Sequence, residues 1–266
     1  MTAIALTIAG SDSGGGAGIQ ADLKTFSALG VYGASVLTAI TAQNTRGVTG
    51  VEDVSASMIG LQMRAVFDDL SVNAVKIGMV SRSQTIGVIA DGLSAFRGPV
   101  VVDPVMVATS GDRLLQEEAI ETLIARLLPR AAVVTPNLPE AALLTGQPVA
   151  TEPEAMVAQA RRILDFGAGA VLIKGGHGAD PESIDYLVTA DAVTPFAAPR
   201  IETSHDHGTG CTLAAALTAQ LAQGLPLVEA CQTAKTYLHA ALSAGRGLTV
   251  GKGRGPVHHF HQWWTA

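Results

Sequence analysis

Short runs of Val, Ile, Ala and Leu recur along the chain and predict buried strands. The five clearest runs are 3–9, 74–78, 99–103, 131–135 and 170–174. Between them, apolar residues recur every three or four positions, as in Ile19, Leu23 and Phe26, which is the spacing of one helix face. Strands that alternate with such helices predict the α/β class, with a central, mostly parallel sheet and helices on both of its faces.

The sequence also predicts further helices, an edge strand and a lid. Helical spacing also occurs at 120–127 and 213–221, and 184–188 reads as an antiparallel edge strand. Thr151 and Glu154 have the spacing of a capping box, which predicts a helix that starts there and ends near Gly167. The segment 30–47 is expected to project from the sheet as a small lid.

Composition narrows the class of protein. The chain has 266 residues, of which 48% are hydrophobic and 15% charged, so we expect one folded domain over residues 1–266. A formal net charge of −6 argues against nucleic acid or an anionic membrane as the partner. Two cysteines without zinc or redox spacing suit a reducing cytoplasm, and no apolar run approaches the roughly 20 residues that span a bilayer.

The segment 206–212, Asp-His-Gly-Thr-Gly-Cys-Thr, is the most informative for chemistry. Gly208 and Gly210 free the backbone just before an amphipathic helix, whose N-terminal amides can hold a transferring phosphoryl group. Cys211 would lie in that positive field with a lowered pKa, which suits a base for a substrate hydroxyl group. The alternative is an inert buried cysteine, which is how Cys231 is interpreted.

A glycine-rich loop, 10–18, leads from the first strand into a helix. Its bare backbone would allow a ligand to approach closely, with the helix amides pointing at it. Its spacing matches neither the dinucleotide fingerprint nor a P-loop. A purely structural turn remains the alternative.

Polar residues that follow the later strands predict a site for metal and phosphate. Asp103 and Glu140 offer hard oxygen ligands to Mg²⁺, together with Asn137, although Asn137 is equally suited to cap a helix with Pro139 in its first turn. Lys174 ends a buried strand, where an ammonium group is costly unless it meets an anion. We expect ATP phosphate there, with a structural ion pair as the alternative.

The chain resembles the hydroxymethylpyrimidine and phosphomethylpyrimidine kinases of thiamin biosynthesis, which belong to the ribokinase-like superfamily. The resemblance covers essentially the whole chain and is most specific in His-Gly-Thr-Gly-Cys at 207–211 and in the glycine-rich segment 9–22. The other matching segments are 41–45, 103–106, 135–137, 174–177 and 255–259.

This resemblance implies two successive phosphorylations by magnesium ATP, of a pyrimidine alcohol and then of its monophosphate, in a homodimer. It assigns Cys211 as the base, in place of the aspartate of sugar kinases. Together with the residues singled out above, the resemblance gives the following expected site. Catalysis involves Cys211, Gly208, Gly210 and Lys174; substrate is bound by Gln43, Gly10, Asp22 and Met79; ATP and phosphate are bound by Lys174, Thr209 and Asn137; and metal is bound by Asp103 and Glu140.

Two departures from the family pattern leave alternatives open. His205 and Asp206 stand where the family usually has Asn-Thr, and Thr109 replaces a usual lysine. The charge of Asp206 should repel ATP unless magnesium or a histidine offsets it. A pyridoxine or pyridoxal kinase is the nearest rival, because vitamin B6 also carries a hydroxymethyl group on a heteroaromatic ring. A non-catalytic vitamin-binding protein of the same fold is the other alternative.

Overall fold

A computed structural model of the chain describes residues 2–106, 117–176 and 181–265. The strands are β1 Ile4–Ala9, β2 Tyr32–Leu37, β3 Ala39–Asn44, β4 Gly47–Asp53, β5 Ala74–Ile77, β6 Val100–Val102, β7 Val133–Val134, β8 Val171–Ile173, β9 Glu182–Val188 and β10 Val193–Pro199. The α-helices are α1 Gly18–Ala28, α2 Ala56–Phe67, α3 Ser83–Gly92, α4 Glu117–Thr122, α5 Leu138–Thr145, α6 Pro153–Leu164, α7 Thr209–Ala222 and α8 Leu227–Gly245.

The main sheet has the strand order β10-β9-β8-β7-β6-β5-β1-β2. Neighbours from β8 to β2 pair in parallel, whereas β9 pairs antiparallel with both β8 and β10. Alternate residues of a strand point to opposite faces, and they enter different hydrophobic cores: Val100 and Val102 pack in one, and Val101 packs in another. The predicted α/β class, with a mostly parallel sheet between helices, is therefore confirmed.

Several finer predictions need correction. The antiparallel strand at 184–188 exists within β9, but β10 covers it, so it is not the edge. The projecting hairpin is β3–β4, because residues 32–37 pair with β1 as part of the main sheet. The residue before α6 is Glu152, whose side chain makes no cap hydrogen bond, so the capping box at Thr151 is wrong. The helix predicted at 120–127 begins as α4 and continues as a π-helical turn, Leu123–Leu127.

Helix α7 brings its N-terminus to the carboxyl ends of the parallel strands. Its buried residues include Ala214, Ala215, Ala216 and Ala219, none of which is exposed to solvent. Small side chains let the helix axis approach the sheet closely, and α7 contacts β1, β5 and β6. None of the helices among the described residues has the length and hydropathy that crossing a membrane requires.

Candidate active site

A cavity of about 790 Å³ lies where the carboxyl ends of the parallel strands meet the N-terminus of α7. This is the edge at which open α/β sheets bind ligands. All the predicted site residues except Asp22 line it: Gly10, Gln43, Met79, Asp103, Asn137, Glu140, Lys174, Gly208, Thr209, Gly210 and Cys211. Side chains that are far apart in sequence are thus brought together around one space.

The glycine-rich loop is held in shape by Asp12. The buried Asp12 carboxylate accepts hydrogen bonds from the backbone N–H groups of Gly14 at 2.8 Å, Gly16 at 3.0 Å and Ala17 at 2.8 Å. It also lies 2.8 Å from Nε2 of His207. Burial opposes its ionisation, but the His207 hydrogen bond and these amides lower the pKa of Asp12. Much of the loop's hydrogen-bonding capacity is therefore used internally, as the structural alternative predicts.

Gly208 joins this loop to the start of α7. Its φ of +80° lies in the left-handed region, and a Cβ atom there would overlap the carbonyl oxygen of Gly16. The left-handed turn places Thr209, Gly210 and Cys211 in the first turn of α7, where backbone N–H groups lack partners within the helix. These amides form an anion-binding surface beside the cavity.

The expected lowering of the Cys211 pKa is wrong for the ligand-free protein. Burial raises the pKa of the Cys211 thiol to about 11, against the opposing effects of the Lys76 ammonium group and a hydrogen bond from the backbone N–H of Gly18. The glycine-loosened turn and the helix N-terminus are present as predicted, but removal of the thiol from water outweighs them. Cys231 is buried, and burial raises its pKa to about 12.

Lys174 lies between two carboxylates. Its Nζ atom is 2.9 Å from Oδ1 of Asp103 and 3.9 Å from Oε2 of Glu140, and Asp103 Oδ1 also accepts a hydrogen bond from Thr135. Burial opposes the charge of Lys174, but the carboxylates of Asp103 and Glu140 raise its pKa. A Cβ atom at Gly210 would lie 3.4 Å from Lys174 Nζ, so the ammonium group lies directly beside the first turn of α7. Lys174 therefore forms a structural ion pair and also lies beside the anion-binding turn.

Asn137 and Glu140 form a reciprocal capping box at the start of α5. Asn137 Oδ1 accepts from the Glu140 N–H, and Glu140 Oε2 accepts from the Asn137 N–H, both at 2.8 Å. Burial and the nearby Asp103 charge raise the pKa of Glu140 to about 7, although Lys174 opposes the shift. The capping role of Asn137, left open by the sequence, is present, and the residue also lines the cavity.

The oxygen ligands at this edge suit a magnesium ion that is held mainly by phosphates and water. Asp103 and Glu140 converge on Lys174, and two buried carboxylates against one ammonium group leave an excess of negative charge. Burial is the main cause of the raised pKa of Glu140, and the charge of Asp103 adds to it. No cluster of three or more protein metal ligands occurs in the described ranges, so nucleotide phosphates would have to complete the coordination.

Gly10, Gln43 and Met79 line another part of the cavity. Gly10 lies beside Met79, since a Cβ atom at Gly10 would lie 3.1 Å from the Met79 sulfur. Gln43 lies on β3 next to an irregularity in the β3–β4 pairing, and its Oε1 accepts a hydrogen bond from Thr41 at 3.2 Å. Its backbone N–H is bonded to Ser13 at 2.8 Å, which fixes β3 against the glycine-rich loop.

The expected contact between Asp22 and substrate is wrong for this structure. Asp22 has no solvent exposure and does not line the cavity. Its two carboxylate oxygens lie 3.0 and 2.8 Å from Nζ of Lys76, and Thr7 donates a third hydrogen bond. Lys76 does line the cavity, so Asp22 reaches the site through this lysine.

The charge of Asp206 is offset by a residue that was not considered from the sequence. Arg254 pairs with it through two hydrogen bonds, one of them 2.8 Å from Nε to Oδ1, and both residues line the cavity. The expected repulsion of ATP is therefore reduced by a guanidinium group instead of by magnesium or a histidine. Thr109, the other departure from the family pattern, lies outside the described residues.

A third part of the cavity was not predicted from the sequence. It continues between the segment 198–203 and α8, where Leu213, Leu238 and Leu242 supply apolar surface. At its polar edge, Lys235 Nζ lies 2.8 Å from Oδ2 of Asp185. The apolar surface suits a purine ring, and the spacing of Leu238 and Leu242 on one helix face was the available but unspecific sign of it.

The sheet order, the anion-binding helix and the lysine–carboxylate group define a ribokinase-like small-molecule kinase. Residues 12–258 match the model of the phosphomethylpyrimidine kinase family, and the chain belongs to that family.

Individual relatives agree with this assignment. A hydroxymethylpyrimidine/phosphomethylpyrimidine kinase of Rhizobium meliloti is 66% identical over 264 residues, covering 99% of each chain. A thiamine biosynthesis bifunctional protein, ThiED, of Geobacter sulfurreducens is 51% identical over 96% of this chain and 51% of its own length. The structure of a Staphylococcus aureus pyridoxal kinase in complex with ADP aligns with a TM-score of 0.91, 35% identity and coverage of 100% and 96%. The chain is therefore a kinase, which excludes the non-catalytic alternative, and it uses ATP.

Proposed function

We propose that the chain, acting as a single kinase domain over 1–266, phosphorylates 4-amino-5-hydroxymethyl-2-methylpyrimidine and then its monophosphate in thiamin biosynthesis. The observation that carries this proposal is one cavity with three parts. A flat pocket holds Gln43 and Met79, an anion-binding turn holds Cys211, and an apolar arm suits a purine. The family assignment supports the same chemistry.

The phosphoryl group is transferred at the start of α7. Phosphoryl transfer depends on positioning and on neutralising charge, with little covalent work for the protein. In the proposed mechanism the amides of the turn from Gly208 to Cys211 hold the phosphoryl oxygens, and Thr209 and Asn137 contact phosphate from either side. Lys174 faces the same oxygens and neutralises charge as it passes to the leaving ADP. The position of Lys174 Nζ beside Gly210 supports the role proposed for Lys174.

Cys211 is proposed to take the proton of the substrate's hydroxymethyl group. The thiolate accepts that proton as the substrate oxygen bonds to the γ-phosphorus and the bond to the ADP oxygen breaks, and the proton then leaves Cys211 for solvent. With a pKa of about 11 in the ligand-free protein, the thiolate is a minor species at neutral pH. The rate for alcohol substrates is therefore expected to rise with pH through the neutral range.

The pyrimidine ring is proposed to bind between Gly10 and Met79, with the Gln43 amide paired to its aminopyrimidine edge. We expect Gln43→Leu to weaken use of the pyrimidine by about 1 to 3 kcal/mol, because a buried polar edge would lose its partner. The measurement compares kcat/KM for hydroxymethylpyrimidine and for pyridoxal in this variant and in the unmodified enzyme. Equal, negligible losses for both substrates would remove Gln43 from the ring site.

Asp103 and Glu140 are proposed to hold Mg²⁺ together with the nucleotide phosphates, and the ion would neutralise the triphosphate. We expect Glu140→Gln to raise the free magnesium concentration needed for half-maximal rate several-fold, because one carboxylate ligand is lost. Activity is titrated against free magnesium at fixed ATP. Glu121→Gln, a change of an exposed carboxylate on α4, is the control. An unchanged half-saturation in Glu140→Gln would contradict the assignment.

A substrate panel tests the proposed function. ADP release is measured with hydroxymethylpyrimidine, its monophosphate and pyridoxal at matched concentrations. We expect both pyrimidines to be phosphorylated with higher kcat/KM than pyridoxal. Preference for pyridoxal would favour the rival function, which is motivated by the structural likeness to the Staphylococcus aureus pyridoxal kinase.

We also propose a cytoplasmic homodimer. Exposed apolar side chains on β2 and the β3–β4 hairpin, including Tyr32, Ile40 and Val51, support association of two copies through this surface. Two cysteines without a partner support a reducing compartment. The mass in solution, measured by light scattering, tests the dimer, and a monomeric mass at working concentration would contradict it.

A further inference from the structure

A buried ion pair borders the cavity that contains the proposed base. Lys76 and Asp22 have no exposed side-chain surface, and they are joined by contacts of 2.8 and 3.0 Å, with Thr7 donating to Asp22 at 2.6 Å. Removing two charges from water costs several kcal/mol per ion, and a hydrophobic pair often stabilises a fold equally well. The pair is therefore not explained by its contribution to the stability of the fold.

Lys76 is the member of the pair that borders the cavity. Lys76 lines the cavity together with Cys211, and β5, which carries Lys76, packs against α7. Gly78 makes room for the ammonium group, because a Cβ atom there would lie 2.8 Å from Lys76 Nζ and 3.0 Å from the Cβ of Ala9. Asp22 from α1 and Gly78 from the end of β5 thus both fix where the charge lies.

Four charged groups from four parts of the fold act on Cys211 or respond to it. Lys76 lowers the pKa of the Cys211 thiol more than any other neighbouring charge, whereas Asp22 and Asp103 raise it. Lys174 interacts with the same thiol from the carboxyl end of β8. Burial opposes the charge of Lys76, but the Asp22 carboxylate raises the pKa of Lys76 above its usual range, so the pair keeps Lys76 protonated at neutral pH.

We propose that Lys76 is a positioning residue for the phosphorylation of the alcohol, in which its ammonium group, held by Asp22, stabilises the thiolate form of Cys211. The inference rests on the proposed function of Cys211 as the base. Thiolate stabilisation itself is measurable without turnover, so the two ideas can fail separately. The role of Asp22 in the site is then to keep Lys76 charged and in position.

The test measures the thiolate directly in a Cys231→Ala background, where Cys211 is the remaining cysteine of the two in the chain. The rate of alkylation by iodoacetamide is followed from pH 7 to 10 in the ligand-free protein. We expect Lys76→Met to lower the rate at a given pH by about tenfold or more, since an opposite charge nearby shifts a pKa by about 1 to 3 units. The rising limb of kcat/KM for the alcohol should move to higher pH by the same amount.

Two further variants keep the test decisive. Lys76→Met leaves Asp22 without a partner, so the double variant Lys76→Met/Asp22→Asn is measured beside it, and we expect a smaller shift in the same direction. Arg126→Met removes the cation of an ion pair with Asp91 that does not line the cavity, and should leave the alkylation of Cys211 unchanged. Unchanged alkylation in folded Lys76→Met and in the double variant would overturn the proposal. Full activity of a Cys211→Ala enzyme would instead exclude Cys211 as the base, and the conclusion that Lys76 stabilises the thiolate would be unaffected.

Discussion

Cys211→Ala is expected to slow phosphorylation of the pyrimidine alcohol by about 10² to 10⁴-fold, the usual loss when a positioned general base is removed. ATP binding should persist, because the anion site at the start of α7 consists of backbone amides. The acceptor in the second reaction is a phosphate monoester, whose second pKa of about 6 leaves it ionised at neutral pH. It needs no base, so the second phosphorylation should fall much less than the first.

Three measurements on matched variants check this result: turnover of each acceptor, melting temperature and nucleotide affinity. Cys231→Ala is the control, because Cys231 is a buried core residue of α8. Cys211→Asp should recover part of the rate, since a carboxylate supplies a base at the same position. Full turnover of the alcohol by a folded Cys211→Ala enzyme would exclude the thiol as the base.

Gly208→Ala should lower the rate for both acceptors by about 10²-fold or more, the scale of losing a preorganised anion donor. The added Cβ atom would overlap the carbonyl oxygen of Gly16, so either the glycine-rich loop or the first turn of α7 must move. Both phosphorylations use the amides of this turn, so both should suffer. Steady-state rates with the alcohol and with the monophosphate measure the effect.

Gly224→Ala is the matched control for this variant. Gly224 follows the other end of α7 with a φ of +87°, and a Cβ atom there would have nothing within 4 Å. Both substitutions cost about 1 to 2 kcal/mol for the left-handed backbone, but only Gly208→Ala distorts the anion-binding turn. If the two variants lose equal activity and equal melting temperature, the effect is loss of stability and the role of the turn is contradicted.

Much of the fold follows from the sequence because apolar runs and helix periods are local. The five strand runs lie on β1, β5, β6, β7 and β8. Strand β2 has Gly33, Ala34 and Ser35 at its centre, and its assignment depends on its pairing with β1, which no local pattern encodes. The same reason explains β10, whose pairing places β9 inside the sheet.

The candidate site divides in a similar way. Residues that directly follow a strand or open a helix, such as Asp103, Lys174 and Cys211, were recognisable by position. Partners from distant segments were not, because a carboxylate such as Asp22 looks the same in sequence whether it meets a substrate or Lys76. The pKa of Cys211 differs from the expectation for a related reason. The helix N-terminus can be recognised in the sequence, but the degree to which the thiol is buried depends on the tertiary structure.

A single time course can follow both proposed phosphorylations. The purified protein is given magnesium ATP and hydroxymethylpyrimidine, and phosphorus NMR follows the products. We expect a monoester signal to appear first and then to be replaced by a pyrimidine diphosphate, with two ATP consumed for each pyrimidine. We also expect Cys211→Ala, supplied with the monophosphate instead, still to form the diphosphate. Accumulation of the monoester without diphosphate, or phosphorylation of pyridoxal while the pyrimidine stays unchanged, would contradict the proposed function.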